Sequence, residues 1–127
     1  MKYILASFIA IFLSACSLKQ LIQSKSAIVV FKTPSMKFYD KGFVKIYNNF
    51  INLQIYNSGI IALNLNIYKN KVCKGFLQCM SSKEFNKNYL SSQYEDDFLY
   101  KLFSKKNIYF KDKNNSIFIK VKKLNGI

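Results

Sequence analysis

Between Ile51 and Tyr68 the chain alternates apolar and polar residues, and this stretch constrains the fold more than any other. Ile51, Leu53 and Ile55 alternate with Asn52, Gln54 and Tyr56. Beyond Asn57-Ser58-Gly59, Ile61, Leu63, Leu65 and Ile67 alternate with Ala62, Asn64, Asn66 and Tyr68. A period of two sends each Ile/Leu set to one face of a strand and each polar set to the other. Two such strands across a short Asn-Ser-Gly connection predict an antiparallel hairpin. Tyr56 and Tyr68 fall on its wetter face, where a phenol keeps its hydroxyl solvated.

The rest of the chain extends that sheet. Ala27 to Thr33 is β-branched and apolar and closes at Pro34-Ser35, the chain's one proline. A second strand is expected from about Met36, with a turn at Asp40-Lys41-Gly42 and extended structure again over Phe43 to Tyr47. After Lys69-Asn70-Lys71 the chain turns into Val72 to Cys79. Ser81-Ser82-Lys83-Glu84 has the Ser-x-x-Glu form of a capping box, and Phe85, Tyr89 and Leu90 follow at helical spacing. Glu95-Asp96-Asp97 precedes Phe98, Leu99, Leu102 and Phe103, with Lys101, Lys105 and Lys106 toward the end, a charge order that suits a helix dipole. Two short helices, about 82–91 and 95–104, are predicted. Ile108 to Phe110, the turn Asp112 to Asn115, and Ile117, Ile119 and Val121 then form a closing hairpin. The fold class is α+β: an antiparallel sheet with two short helices.

The N-terminus reads differently. Met1-Lys2 is a short positive start, Tyr3 to Phe12 is almost unbroken apolar, and Leu13-Ser14-Ala15-Cys16 follows. About a dozen helical residues reach only ~18–20 Å, short of the ~30 Å hydrocarbon core, so a secretory leader is favoured over a membrane span. Leu-Ser-Ala-Cys resembles the lipobox of bacterial lipoproteins. That resemblance implies cleavage before Cys16 and acylation of its sulfur and its amine, a covalent lipid being the one group the chain would carry. The organisation expected is a signal peptide over 1–15, a lipidated cysteine and tether over 16–26, and a single domain over 27–127. In proteobacterial lipoproteins a residue such as Ser17, rather than Asp, after the cysteine permits transfer to the outer membrane.

Composition narrows the function classes. The net charge is +14, yet every basic residue is lysine, so the bidentate phosphate grip of arginine is missing. Lysines alternate with Ile, Phe and Tyr as on wet strand faces, and nucleic acid is not the expected partner; anionic lipid or glycan suits an exported basic surface better. Histidine is absent, which removes Ser-His and Cys-His hydrolases and His-ligated zinc. No catalytic pair and no metal-ligand set is expected. Glu95-Asp96-Asp97 is too closely spaced to converge on one cation without a special loop. Cys73 and Cys79 are a disulfide candidate in an oxidising compartment, since an even offset of six lets them meet across a tip turned at Gly75. Two free thiols are the alternative, and a redox pair lacks the Cys-x-x-Cys spacing.

The order of leader, Cys16, antiparallel meander, two short helices and returning strands resembles the outer-membrane lipoprotein receptor family, LolB, and its soluble carrier relatives. Asn52-Leu53-Gln54-Ile55-Tyr56-Asn57-Ser58-Gly59 and an alternating strand look like its early hairpin, as do Ser82 and Phe85 leading to Tyr94, Leu99 and Phe103. The match would cover roughly 27–122. It implies a curved sheet, a partial open barrel, with helices on its concave side and an apolar interior that holds acyl chains or lipoproteins. Ile51, Leu53, Ile55, Ile61, Leu63, Leu65 and Ile67 would line that interior, and Phe98, Leu102 and Phe103 would form a lid. The same residues fill a plain core if the chain is instead a non-catalytic structural or interaction lipoprotein.

Overall fold

A computed structural model describes residues 20–124. Eight strands form one antiparallel sheet: β1 Leu21–Lys32, β2 Lys37–Tyr47, β3 Ile51–Asn57, β4 Ile60–Ile67, β5 Lys71–Lys74, β6 Gln78–Ser81, β7 Ile108–Asp112 and β8 Ile117–Lys123. Their order is β6-β5-β4-β3-β2-β1-β8-β7, so β6 and β7 are the edges and the sheet does not close. The two helices, α1 Ser82–Tyr89 and α2 Phe98–Phe103, lie between the edge strands in sequence. The chain therefore passes from one edge of the sheet to the other through the helices. Their apolar residues Phe85, Leu99, Leu102 and Phe103 join Val29, Phe31, Val44, Leu53, Leu65 and Ile119 in a single core on one face of the sheet. The α+β antiparallel meander with two short helices is the fold observed.

Local chemistry explains most element ends. Ser81 caps α1 by accepting the Glu84 backbone N–H at 3.1 Å, as the Ser-x-x-Glu pattern predicts. The β3–β4 turn carries positive φ at both Ser58 and Gly59, the conformation a tight two-residue hairpin needs. Both helices are shorter than the sequence suggests. α2 starts at Phe98, and Glu95 and Asp97 ahead of it pair with Lys101 at 2.9 and 3.5 Å.

Three expectations are corrected. First, β1 begins at Leu21, so half of the tether expected over 16–26 is strand. Residues 23–26 are polar, and over 21–26 the strand pairs with β2 alone; β8 joins β1 only from Ala27. Second, Asp40-Lys41-Gly42 does not turn but runs straight through β2. An ideal Cβ on Gly42 would sit 2.1 Å from the Gln54 carbonyl oxygen, so the glycine serves a close approach of β2 to β3. Third, Ile61 does not face the core. Ile55 pairs with Leu63 but Tyr56 pairs with Ile61, which leaves Ala62 as an extra residue. This bulge shifts the alternation by one, and Ile61, 47% exposed, joins Tyr56 on the outer face.

Candidate functional site

Of the ten residues expected to line or cover an acyl-chain cavity, eight meet in the core. Ile51, Leu53, Ile55, Leu63, Leu65, Ile67, Leu102 and Phe103 are all buried, and Leu53, Leu65, Ile67 and Phe103 have no accessible surface. A side chain without accessible surface borders neither solvent nor a void wide enough for water. Phe98 is half-buried at the core's margin, its ring 4.5 Å from Tyr94 and 4.8 Å from Phe110. Ile61 is outside. Around these residues the interior is packed side chain against side chain.

The opposite face of β3 and β4 is less wet than its asparagines suggest. Asn52 and Asn66 are buried there. Asn52 Nδ2 donates to Asn64 Oδ1 and to Asn66 Oδ1, both at 2.8 Å, and Asn66 Nδ2 donates to the Gly75 carbonyl at 2.7 Å. Gly75 belongs to the β5–β6 tip, whose strands pair Cys73 with Cys79, and a disulfide joins these two cysteines. The stapled tip thus folds over the amides. Below them Phe50 stacks between Tyr47 and Tyr68, at 4.6 and 5.1 Å. These amides spend their hydrogen bonds on one another, which makes the cluster a lock on the sheet.

A polar clasp holds the helix connection to the β7–β8 turn. The Tyr94 hydroxyl donates to Asp112, and Asn115 Nδ2 donates to the same carboxylate at 2.7 Å. Burial, then the hydrogen bond to Asp112 and then its charge, raise the Tyr94 phenol well above its usual range. Asn115, and then Tyr94, hold Asp112 below the usual carboxylate range. Among the described residues no three His, Cys, Asp or Glu side chains gather as a metal site would need.

Among the clefts of the described residues, one gathers lysines that sequence reasoning did not bring together. It measures about 440 Å³ and opens where β1 runs on past the end of β8. Ile46, Ile108 and Val121 form its apolar floor. Lys25, Lys105, Lys106 and Lys123 rim it, with Gln23, Ser104 and Asn107 between them. Its lysines come from three distant segments, so no local motif announces them.

No protein-family model matches the chain, and no curated protein or solved structure matches it significantly.

Proposed function

We propose that this chain is a lipid-anchored, non-catalytic protein of the bacterial outer membrane, held through Cys16, whose folded body serves interaction. Cys16 lies outside the described residues, so the anchor rests on the leader and the Leu-Ser-Ala-Cys pattern. The body's role rests on a single observation: the residues best placed to hold an acyl chain are buried against one another. An acyl-carrying module gains ~0.8 kcal/mol per methylene by giving each one an apolar wall. An interior already filled by Leu53, Leu65, Ile67 and Phe103 has no such wall to offer. Contacts with partners then fall to the outer surface, which carries many lysines and exposed apolar residues such as Tyr39, Ile60, Leu77 and Tyr109.

Two measurements test the reading. Intact mass of the protein purified from cells should show a chain starting at Cys16 and carrying acyl groups. Cys16→Ala should leave the precursor uncut and unlabelled by a fatty-acid analogue. Leu65→Phe should leave uptake of a fluorescent long-chain fatty acid by the folded protein unchanged; one-to-one uptake blocked by Leu65→Phe would return the interior to an acyl-binding role.

A further inference from the structure

We propose that the cleft rimmed by Lys25, Lys105, Lys106 and Lys123 binds the phosphate of an anionic phospholipid headgroup in the membrane to which the chain is tethered. The proposal deepens the anchored reading above, and three observations carry it.

The first is place. β1 starts at Leu21, and Gln23 and Lys25 on this strand line the cleft. Gln20, the first described residue, lies four positions after Cys16. Four residues span at most about 14 Å even fully extended. An acylated Cys16 sits in the headgroup region, so the cleft is held within reach of lipid phosphates.

The second is charge. Among the described residues no carboxylate lines the cleft. Both ion pairs among the described residues use Lys101, so none of the four cleft lysines has one. Lys25 is only 8% exposed and makes no hydrogen bond among the described residues, yet its nitrogen is not sealed off. Its aliphatic stem is packed while its ammonium stays open to the cleft, so an entering anion meets an unpaired cation already held in place. Most acids lie toward the far end. Asp112 bounds the β7–β8 turn, and Tyr94, which precedes Glu95, Asp96 and Asp97, is tied to it. Asp40 lies by the β3–β4 turn, lining a cleft with Ser58 and Gly59. Only Glu84, in the first turn of α1, lies at the anchored end.

The third is the mix of surfaces. Lys25, Ile46, Val121 and Lys123 occupy the core-facing positions of their strands, in register with buried Ala27, Val44 and Ile119. The cleft is thus the open end of the core, with an apolar floor and a cationic rim. A glycerophospholipid head matches both parts, its phosphate on the rim and its glycerol on the floor. Inorganic phosphate matches the rim alone.

The test uses the full chain purified in an uncharged detergent and titrated by calorimetry. The probes are short-chain phosphatidylglycerol, short-chain phosphatidylcholine and inorganic phosphate. Phosphatidylglycerol should bind saturably at one site. Lys105→Gln with Lys106→Gln should weaken it about 25-fold, from roughly fivefold per lysine at an anionic surface. The thermal midpoint should not move, because both lysines are exposed. Lys37→Gln with Lys41→Gln, at the other end, should change binding by less than about twofold. The proposal is overturned if phosphatidylglycerol shows no saturable binding, if the far pair weakens it equally, or if phosphatidylcholine binds as tightly. Inorganic phosphate binding as tightly as the lipid overturns the lipid as the occupant. The mass of the same preparation reads acylation of Cys16 independently: a bare Cys16 with intact binding removes the anchor and leaves the cleft.

Discussion

Leu65→Ala separates a filled interior from an acyl-binding one by magnitude. Leu65 has no accessible surface, pairs across the sheet with equally buried Leu53, and belongs to the core shared with Leu102 and Phe103. The substitution removes three carbons, worth ~2.4 kcal/mol at ~0.8 kcal/mol each. In a packed site it also opens a void, adding about 1 kcal/mol. The total is about 3.5 kcal/mol. If Leu65 instead lined a cavity, no new void would form and the loss would stay at or below the transfer term of ~2.4 kcal/mol.

Urea unfolding of the disulfide-intact protein reads the difference. With a slope of about 1.5 kcal/mol per molar, the midpoint should fall by about 2 M. In a thermal scan a domain of this size should lose about 12–18 °C. Ile61→Ala is the internal control, since the Ala62 bulge turns Ile61 outward, and it should cost less than about 1 kcal/mol. Equal losses for the two variants would refute the reasoning, because they would mean that the strand faces are assigned wrongly or that the interior is not packed.

Gly42→Ala should destabilise by about 1–3 kcal/mol, since its Cβ would meet the Gln54 carbonyl oxygen at 2.1 Å and β2 would have to move off β3; a wild-type urea midpoint would contradict this. Gly59→Ala meets open space but keeps a φ of +81°, so it should cost only about 1 kcal/mol. Opening the Cys73–Cys79 bridge, by reduction or as the double Ser variant, should cost roughly 2.4 kcal/mol on the loop-entropy model. It should also speed hydrogen exchange at the Asn52 and Asn66 side-chain amides beneath the tip. The Tyr94–Asp112 clasp should give two pH-dependent wings. Asp112 has a depressed folded pKa, so its contribution is present above the usual carboxylate pKa of about 4 and is lost as pH falls through the folded value. Tyr94 has a raised folded pKa, so its contribution is present below pH ~10 and is lost at higher alkalinity. Tyr94→Phe should flatten the alkaline wing and shrink the acid one, read as thermal midpoint against pH.

What could be read from the sequence follows from which interactions are local. The β3–β4 hairpin was legible because one face of each strand is buried and the turn residues adopt positive φ. The α1 cap was legible because Ser81 and Glu84 are three residues apart. Gly42 misled because Asp-x-Gly is turn chemistry locally, and only the approach of Gln54 from a neighbouring strand decides otherwise. Ile61 misled because alternation continues in the letters while an inserted Ala62 shifts the phase in space. The start of β1 was hidden by its polarity, over a stretch that has one sheet neighbour instead of two. Burial of Asn52 and Asn66 depends on a tip that folds back from β5 and β6, which no pattern within β3 or β4 encodes. The lysine cleft needs Lys25, Lys106 and Lys123 brought together by the pairing of β1 with β8, a contact across almost the whole described chain.

That pairing also decides how a pull on the anchor would be borne. In a meander whose first strand is an edge, tension on the N-terminus peels hydrogen bonds one at a time. Here β1 lies inside the sheet, between β2 and β8, while the edges β6 and β7 are far from the N-terminus in sequence. Tension along β1 therefore loads its two neighbours in shear over Ala27–Lys32, where both ladders hold it at once. Residues 21–26, paired with β2 alone, would yield first. They carry Gln23 and Lys25, so under the proposed anchoring the segment pulled first would be the wall of the cleft. Phosphate bound between Lys25 on that wall and Lys105 and Lys106 on the opposite loop would tie the segment down. On the proposed anchoring at Cys16, a central first strand that outruns its neighbour would supply the lead to the anchor, the cleft beside it and the mechanical coupling between them.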